Sequence, residues 1–254
     1  MAPNYSTQEL MIIAAAREIQ DGEVVFVGMR LPITAFGVAR LTHAPNAVGL
    51  FEVGIARHEP AQDMLYTMSD PPNQQNAVWC TGTMQVMGLL QGGQVDAGFI
   101  GGAEIDRFGN INTSYIGGFE RMKTKLPGSG GAADIAAMSK RLLAIMNHEP
   151  HRLVERVGYV TSPGGLDGGD SRRQAGLRWG GTAAVITDRA ILKPHGALGE
   201  LHLFSVHPGH TAEEVKAHTG WKLQDHPDLR PTPEPTPGEM AALHAIDRDG
   251  FWRT

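Results

Sequence analysis

The sequence has one cysteine in 254 residues, Cys80, and only 6% of its residues are aromatic. A single cysteine excludes an internal disulfide framework and a multi-cysteine metal centre. The apolar neighbours of Cys80 predict a buried, inert thiol rather than a nucleophile. Charge is sparse as well: 19% of residues carry it and the net value is −5. That balance lacks the basic face of a nucleic-acid binder, although it leaves room for local basic patches. Long apolar runs are missing. The longest, "LMIIAAA", is far too short to cross a bilayer. The opening "MAPNYSTQEL" has neither the basic start nor the apolar stretch of a secretory signal. A soluble, cytoplasmic protein is expected, with no membrane or nucleic-acid partner.

Glycine is what the chain has in excess: 32 residues, gathered in clusters rather than at a fixed period. Such clusters mark tight turns and close approaches of backbone. The length allows one or two domains with a real core. No repeat and no linker is visible, so a single domain over residues 1–254 is expected. The proline-rich "DHPDLRPTPEPTPGE" predicts an extended strap with little helix or sheet, from about residue 224 to a short docking helix at the end.

The hydrophobic pattern alternates between helix and strand periods. "YSTQELMIIAAAREIQDG" begins with a capping box, Ser6 and Glu9, with Tyr5 set to staple onto Leu10 and Gly22 as a stop. "ITAFGVARLTHAP", "CTGTMQVMGLLQGG", "GAADIAAMSKRLLAIM" and "TAEEVKAHTG" also read as helices. "EVVFVG", "AVGLFEV", "VDAGFIGG", "RVGYVTSP", "TAAVITD" and "LHLFSVHPG" read as strands, and "NINTS" as a short hairpin partner. Alternation predicts an α/β fold, a largely parallel open sheet covered by helices. In such sheets ligands bind beyond the carboxyl ends of the strands.

Four stretches could carry chemistry. Glu52 stands among Leu50, Phe51, Val53 and Ile55 near the end of a predicted strand. An unpaired buried carboxylate is costly. Glu52 is therefore either satisfied by backbone amides or an arginine, or it is used. In "LPGSGGAADI", Gly128, Gly130 and Gly131 precede a helix. Amides at such a turn can hold an anion, or a carbonyl oxygen that becomes negative during acyl transfer. An ordinary tight turn fits the same pattern. The spacing matches neither a Walker loop nor a dinucleotide fingerprint. Asp106, Gly109 and Asn110 read as turn chemistry between two short strands, with Glu104 and Asp106 at strand period. Arg172, Arg173 and Arg178, among many glycines, could meet phosphates or form a solvated loop. His207 and His210 flank Pro208 and Gly209, and two ligands on one turn make a poor metal site, so none is expected.

Taken together, "DGEVVFVGMRLP", "GLFEVG", "GGQVDAGFIGGAEIDRFGNINTS", "PGSGGAADI", "YVTSPGGLDGG" and "LFSVHPGHTAEEVKAHTGWKL" resemble the B (β) subunit of family I CoA-transferases, of the glutaconate CoA-transferase type. They run in order over roughly residues 20–223. The resemblance implies the NagB/RpiA-like CoA-transferase fold. It also implies that Glu52, followed after one residue by Gly54, is the catalytic glutamate. Many relatives carry Ser-Glu-Asn-Gly where this chain has Phe51-Glu52-Val53-Gly54, so the acid and the glycine remain while their flanks depart. Gly128, Gly130 and Gly131 match the family's GxGG loop, which lies beside the reacting thioester. Gly54 and Arg172 are further positions expected to contact substrate or CoA. The A-subunit signature is missing, which implies a separate A chain, in a heterodimer, an α2β2 assembly or a larger one. No cofactor is expected to be held permanently; coenzyme A is a substrate.

The reaction so implied moves CoA from an acyl-CoA to a carboxylic acid through a glutamyl-CoA intermediate. Look-alikes on the same scaffold open a steroid ring by hydrolysis or decarboxylate a branched glutaconyl-CoA, and a non-catalytic CoA-sensing module is a further alternative. The acyl group is not readable. A dicarboxylate would need a cation at its distal end, for which Arg30, Arg57 and Arg107 are candidates.

Overall fold

Ser6 caps the first helix as its spacing to Glu9 requires. Its hydroxyl accepts the Glu9 amide at 3.2 Å, and the Glu9 carboxylate accepts the Ser6 amide at 2.7 Å. In the computed structural model, which describes residues 4–253, this helix is α1 (Thr7–Ala16). It is followed by β1 (Val24–Phe26), α2 (Leu31–Leu41), β2 (Val48–Phe51), β3 (Ile55–Arg57), α3 (Pro71–Gln74), β4 (Trp79–Cys80), α4 (Thr83–Gln91) and β5 (Ala97–Ile100). Next come β6 (Glu104–Asp106), β7 (Ile111–Asn112), β8 (Tyr115–Gly118), β9 (Arg121–Lys125), α5 (Ala132–Met138), β10 (Arg141–Ile145) and β11 (Leu153–Val154). The chain ends with α6 (Ser171–Gln174), β12 (Thr182–Ile186), β13 (Ala190–His195), β14 (Glu200–Val206), α7 (Ala212–Ala217), β15 (Asp225–Pro231) and α8 (Pro237–Ile246). Contacts divide it into two units, one reaching to Phe99 and resuming at Pro233, the other Ile100–Thr232.

In the first unit the strand order is β4-β3-β2-β1-β5. β1 lies parallel to both β2 and β5, while β3 and β4 add antiparallel strands toward one edge. Val25, Phe26, Leu50 and Phe99 are fully buried, which is why these strands read as continuous apolar runs. α8 packs on α1 and α2. Gly37 permits the approach, since a Cβ there would lie 2.8 Å from Ile246. The Arg17 guanidinium clamps both Glu239 oxygens at 2.7 Å and bonds the carbonyls of Pro233 and Glu234. Cys80 is exposed, contrary to the buried thiol expected, because β4 is a two-residue edge strand with both residues open to solvent.

In the second unit the order is β10-β12-β13-β14-β15, with β10–β12 and β14–β15 parallel and the pairs between them antiparallel. A three-stranded sheet, β11-β6-β7, and a ribbon of β8 and β9 complete it. The expected hairpin around Asp106 is present. The Asp106 carboxylate accepts the amides of Phe108 and Asn110, and burial pushes its pKa up despite these bonds.

Three sequence expectations are overturned here. The helix expected over "GAADIAAMSKRLLAIM" stops at Met138, and Arg141–Ile145 is a buried strand. "RVGYVTSP" forms no strand, only an isolated bridge from Ser162 to Ile111. The strap is extended over Asp225–Pro231 but is a paired strand, with Pro227 and Pro231 tolerated because β15 is an edge. Among the described residues no helix is long and apolar enough to cross a membrane.

Candidate active site

β2 and β3 pair up to Phe51 and Ile55, leaving Glu52, Val53 and Gly54 as a three-residue hairpin loop. The Gly54 amide donates to the Phe51 carbonyl at 2.9 Å. Gly54 adopts φ +99°, the positive φ that ends loops of this length. A Cβ there would also lie 2.2 Å from the Thr81 carbonyl oxygen. The glycine two residues after the acid is thus dictated by the turn. Glu52 is half-buried at the tip, not enclosed in an apolar strand as the sequence suggested. Among the described residues nothing bonds or pairs with its carboxylate.

Glu52 leaves β2 just past its carboxyl end. β1 runs parallel beside it, with Phe26 opposite Leu50 and the Val27 amide on the Leu50 carbonyl at 2.8 Å. Gly28, Met29 and Arg30 therefore leave β1 at the same end. Gly28 must be glycine, since a Cβ would sit 2.6 Å from the Phe99 carbonyl oxygen. Arg30 is exposed and has φ 68°, ψ −124°, a conformation normally taken by glycine.

The other arginines proposed from the sequence are committed. Arg57 is fully buried and donates to the carbonyls of Glu59, Pro60, Pro72 and Asn73, pinning the loop after β3. In the second unit Arg107 faces Glu155 at 3.4 Å and lies over the Phe108 ring. Arg172 is a correction. It is buried, and its five donors go to the carbonyls of Pro163, Gly164, Ala136 and, twice, Trp179. It ties the glycine-rich loops together and has no donor left for a CoA phosphate. Arg173 pairs with Asp170.

The glycine loop also needs refinement. The Gly128 amide donates to the Thr113 carbonyl at 2.8 Å, so it is taken. Among the described residues the amides of Ser129, Gly130 and Gly131 have no acceptor. Gly128 and Gly130 have φ +99° and +49°, and a Cβ on either would meet nothing within 4 Å. The loop is open on that side. Within the same loop the Ser129 amide is as free as those of Gly130 and Gly131. Sequence reasoning passed over Thr113 and Ser162, whose buried hydroxyls have no partner among the described residues; nothing in the sequence signals that. Among the described residues no cluster of His, Cys, Asp and Glu is arranged to hold a metal.

In the first unit, a free carboxylate on a glycine-locked turn suits nucleophilic acyl transfer; in the second, a glycine loop with open amides is suited by itself to hold an anion. Over residues 8–218 the chain matches the coenzyme A transferase family. It belongs to that family. Within the coenzyme A transferases it is similar to the B subunit of the 3-oxoadipate CoA-transferase of Pseudomonas knackmussii, at 40% identity over 96% of this chain and 94% of that one. It is 32% identical to the B subunit of the glutaconate CoA-transferase of Acidaminococcus fermentans, over 87% and 84% of the two chains. The crystal structure of glutaconate coenzyme A-transferase from that organism superposes with a TM-score of 0.92 at 29% identity, covering 99% of this chain and 98% of that one. The decarboxylase AibA/AibB superposes at 0.82 with 26% identity, covering 98% and 97%. The chain is a CoA-transferase subunit of the B type.

Proposed function

We propose that this B subunit works with a homologous A chain, as the relatives' subunit names suggest, and moves CoA between an acyl-CoA and a dicarboxylic acid through Glu52. The observation that carries the reading is the unpaired Glu52 carboxylate at the carboxyl end of β2. A Glu52 oxygen attacks the thioester carbonyl, the C–S bond breaks, and CoA leaves as thiolate from an acyl–glutamyl anhydride. The thiolate then attacks the glutamyl carbonyl and expels the donor carboxylate, leaving Glu52 as a CoA thioester. The acceptor carboxylate attacks that thioester, and the same two steps in reverse give the new acyl-CoA and free Glu52. Covalent halves of this kind give ping-pong kinetics. The amides of Ser129, Gly130 and Gly131 are the proposed donors to the carbonyl oxygen as it gains charge; loss of one such donor costs about 10²–10³ in rate. The two relatives above 30% identity are named for 3-oxoadipate and glutaconate, both dicarboxylates, which supports that substrate class over the acetate named for relatives at 25%.

The test is to incubate the assembled A–B enzyme with acyl-CoA and look by mass for CoA on Glu52, with borohydride reduction of the thioester as a second readout. Glu52→Ala and Glu52→Asp should carry no adduct and lose at least about 10³-fold in transfer. Normal transfer by either variant, or an adduct elsewhere, would overturn the assignment. Release of CO2 without an adduct would move the chain to the decarboxylase reading that the AibA/AibB likeness suggests.

A further inference from the structure

We infer that Arg30 reads the distal carboxylate of a dicarboxylic substrate; this rests on the transferase reading of Glu52 and adds the residue that selects the substrate class. Three observations carry it. The first is placement. β1 and β2 are parallel and in register at Phe26 and Leu50, so Gly28 after one strand and Glu52 after the other stand two residues past the same pair. Arg30 follows two residues later, at the same end of the same sheet.

The second is availability. Arg30 is exposed, and although its carbonyl accepts the Ile33 amide at 3.0 Å, among the described residues its guanidinium makes no hydrogen bond or ion pair. Arg57 spends its guanidinium on four backbone carbonyls, and Arg107 faces Glu155. Arg107, set between Glu155 and Glu200, already has carboxylates facing it, whereas the Arg30 guanidinium faces none among the described residues. The guanidinium lies over the ring of Trp252, 5.8 Å from its centre, and the indole N–H of that ring is held by the Leu65 carbonyl at 3.0 Å. A cation over a fixed ring is limited in where it can swing, yet its in-plane donors stay free for a bidentate carboxylate.

The third is backbone conformation. With φ 68° and ψ −124°, Arg30 occupies a region natural to glycine and strained for any other residue. Glycine would fit this turn better. A side chain kept there at a cost to the fold, and bonded to nothing in it, has its use outside it.

The experiment compares the assembled enzyme with its Arg30→Gly and Arg30→Lys forms on acceptors of equal length, glutarate against valerate and adipate against hexanoate. Wild type should prefer the dicarboxylate. In Arg30→Gly the ratio of kcat/KM, dicarboxylate over monocarboxylate, should fall by about 30-fold or more, mainly through KM. Arg30→Lys should fall in between, since it keeps the charge and loses the fork. The melting temperature of Arg30→Gly should equal or exceed wild type, because the strain is relieved. An unchanged ratio overturns the inference while leaving Glu52 in place. A lower melting temperature with equal loss on all acceptors also overturns it, making Arg30 a structural partner of Trp252. Transfer to no acceptor by wild type overturns the transferase reading and this inference together.

Discussion

Gly54 is the residue on which the position of Glu52 depends. Its amide closes the turn on Phe51, its φ is positive, and Thr81 leaves no room for a Cβ. Gly54→Ala should lower unfolding stability by about 3 kcal/mol or more and abolish transfer, as thermal melts and kinetics would show. Arg172 makes the opposite case: a residue that looks like a phosphate ligand and is a brace. Arg172→Met strands several buried carbonyls, so it should cost roughly 3 kcal/mol or more. Below the melting transition its KM for CoA should stay close to wild type. A large rise in KM in a stably folded variant would restore Arg172 to the CoA site. Glu52 was legible because an acid among apolar residues stands out. Arg172 was not, because its acceptors are main-chain carbonyls that only folding gathers.

Among the elements, α8 was expected as a short closing helix, but its start was assigned to the proline-rich strap and lies earlier, at a Thr236 cap. Thr236 accepts the Glu239 amide at 3.2 Å and the Glu239 carboxylate accepts the Thr236 amide at 2.8 Å, the same box that opens α1. Burial raises the Glu239 pKa, but bonds from Arg17 and Thr236 outweigh it and hold the carboxyl below its ordinary range. Thr236→Ala should lower stability by about 1–2 kcal/mol, read as a shift in the denaturant midpoint. The boundary between α5 and β10 was not legible. Ser139 ends the helix with ψ 148°, and the next apolar run, Leu142–Ile145, is buried on both faces. A strand covered on both sides loses the alternation that distinguishes it from a helix.

At the scale of the whole molecule, acid is the weak point of the second unit. His148 lies between the hydroxyls of Thr187 and Thr219, and His207 between the Thr232 hydroxyl and the Thr187 carbonyl. Burial lowers both pKa values to about 4. The folded protein therefore keeps them neutral where the unfolded chain protonates them near 6.5. Their contribution to stability is complete above about pH 6.5 and fades as pH falls toward 4, up to roughly 3 kcal/mol each. Melting temperature should drop steeply over that window. His207→Gln should be less stable at pH 7 but show a shallower pH slope; an equal slope would place the acid sensitivity elsewhere.

Local chemistry determined what the sequence could tell by itself. Capping boxes, glycine turns and apolar periods act between residues a few positions apart, so α1, the buried strands β1, β2, β5, β12 and β14, and the Glu52-x-Gly54 signal were readable as text. Tertiary structure alone decided which polar groups remained free. Gly128 lost its amide to Thr113, Arg57 and Arg172 lost their donors to distant carbonyls, and Glu52 and Arg30 were left open. Every residue, whatever its type, offers a main-chain carbonyl as an acceptor. Which donors these carbonyls consume is therefore set by the fold and is not written in the pattern of side chains.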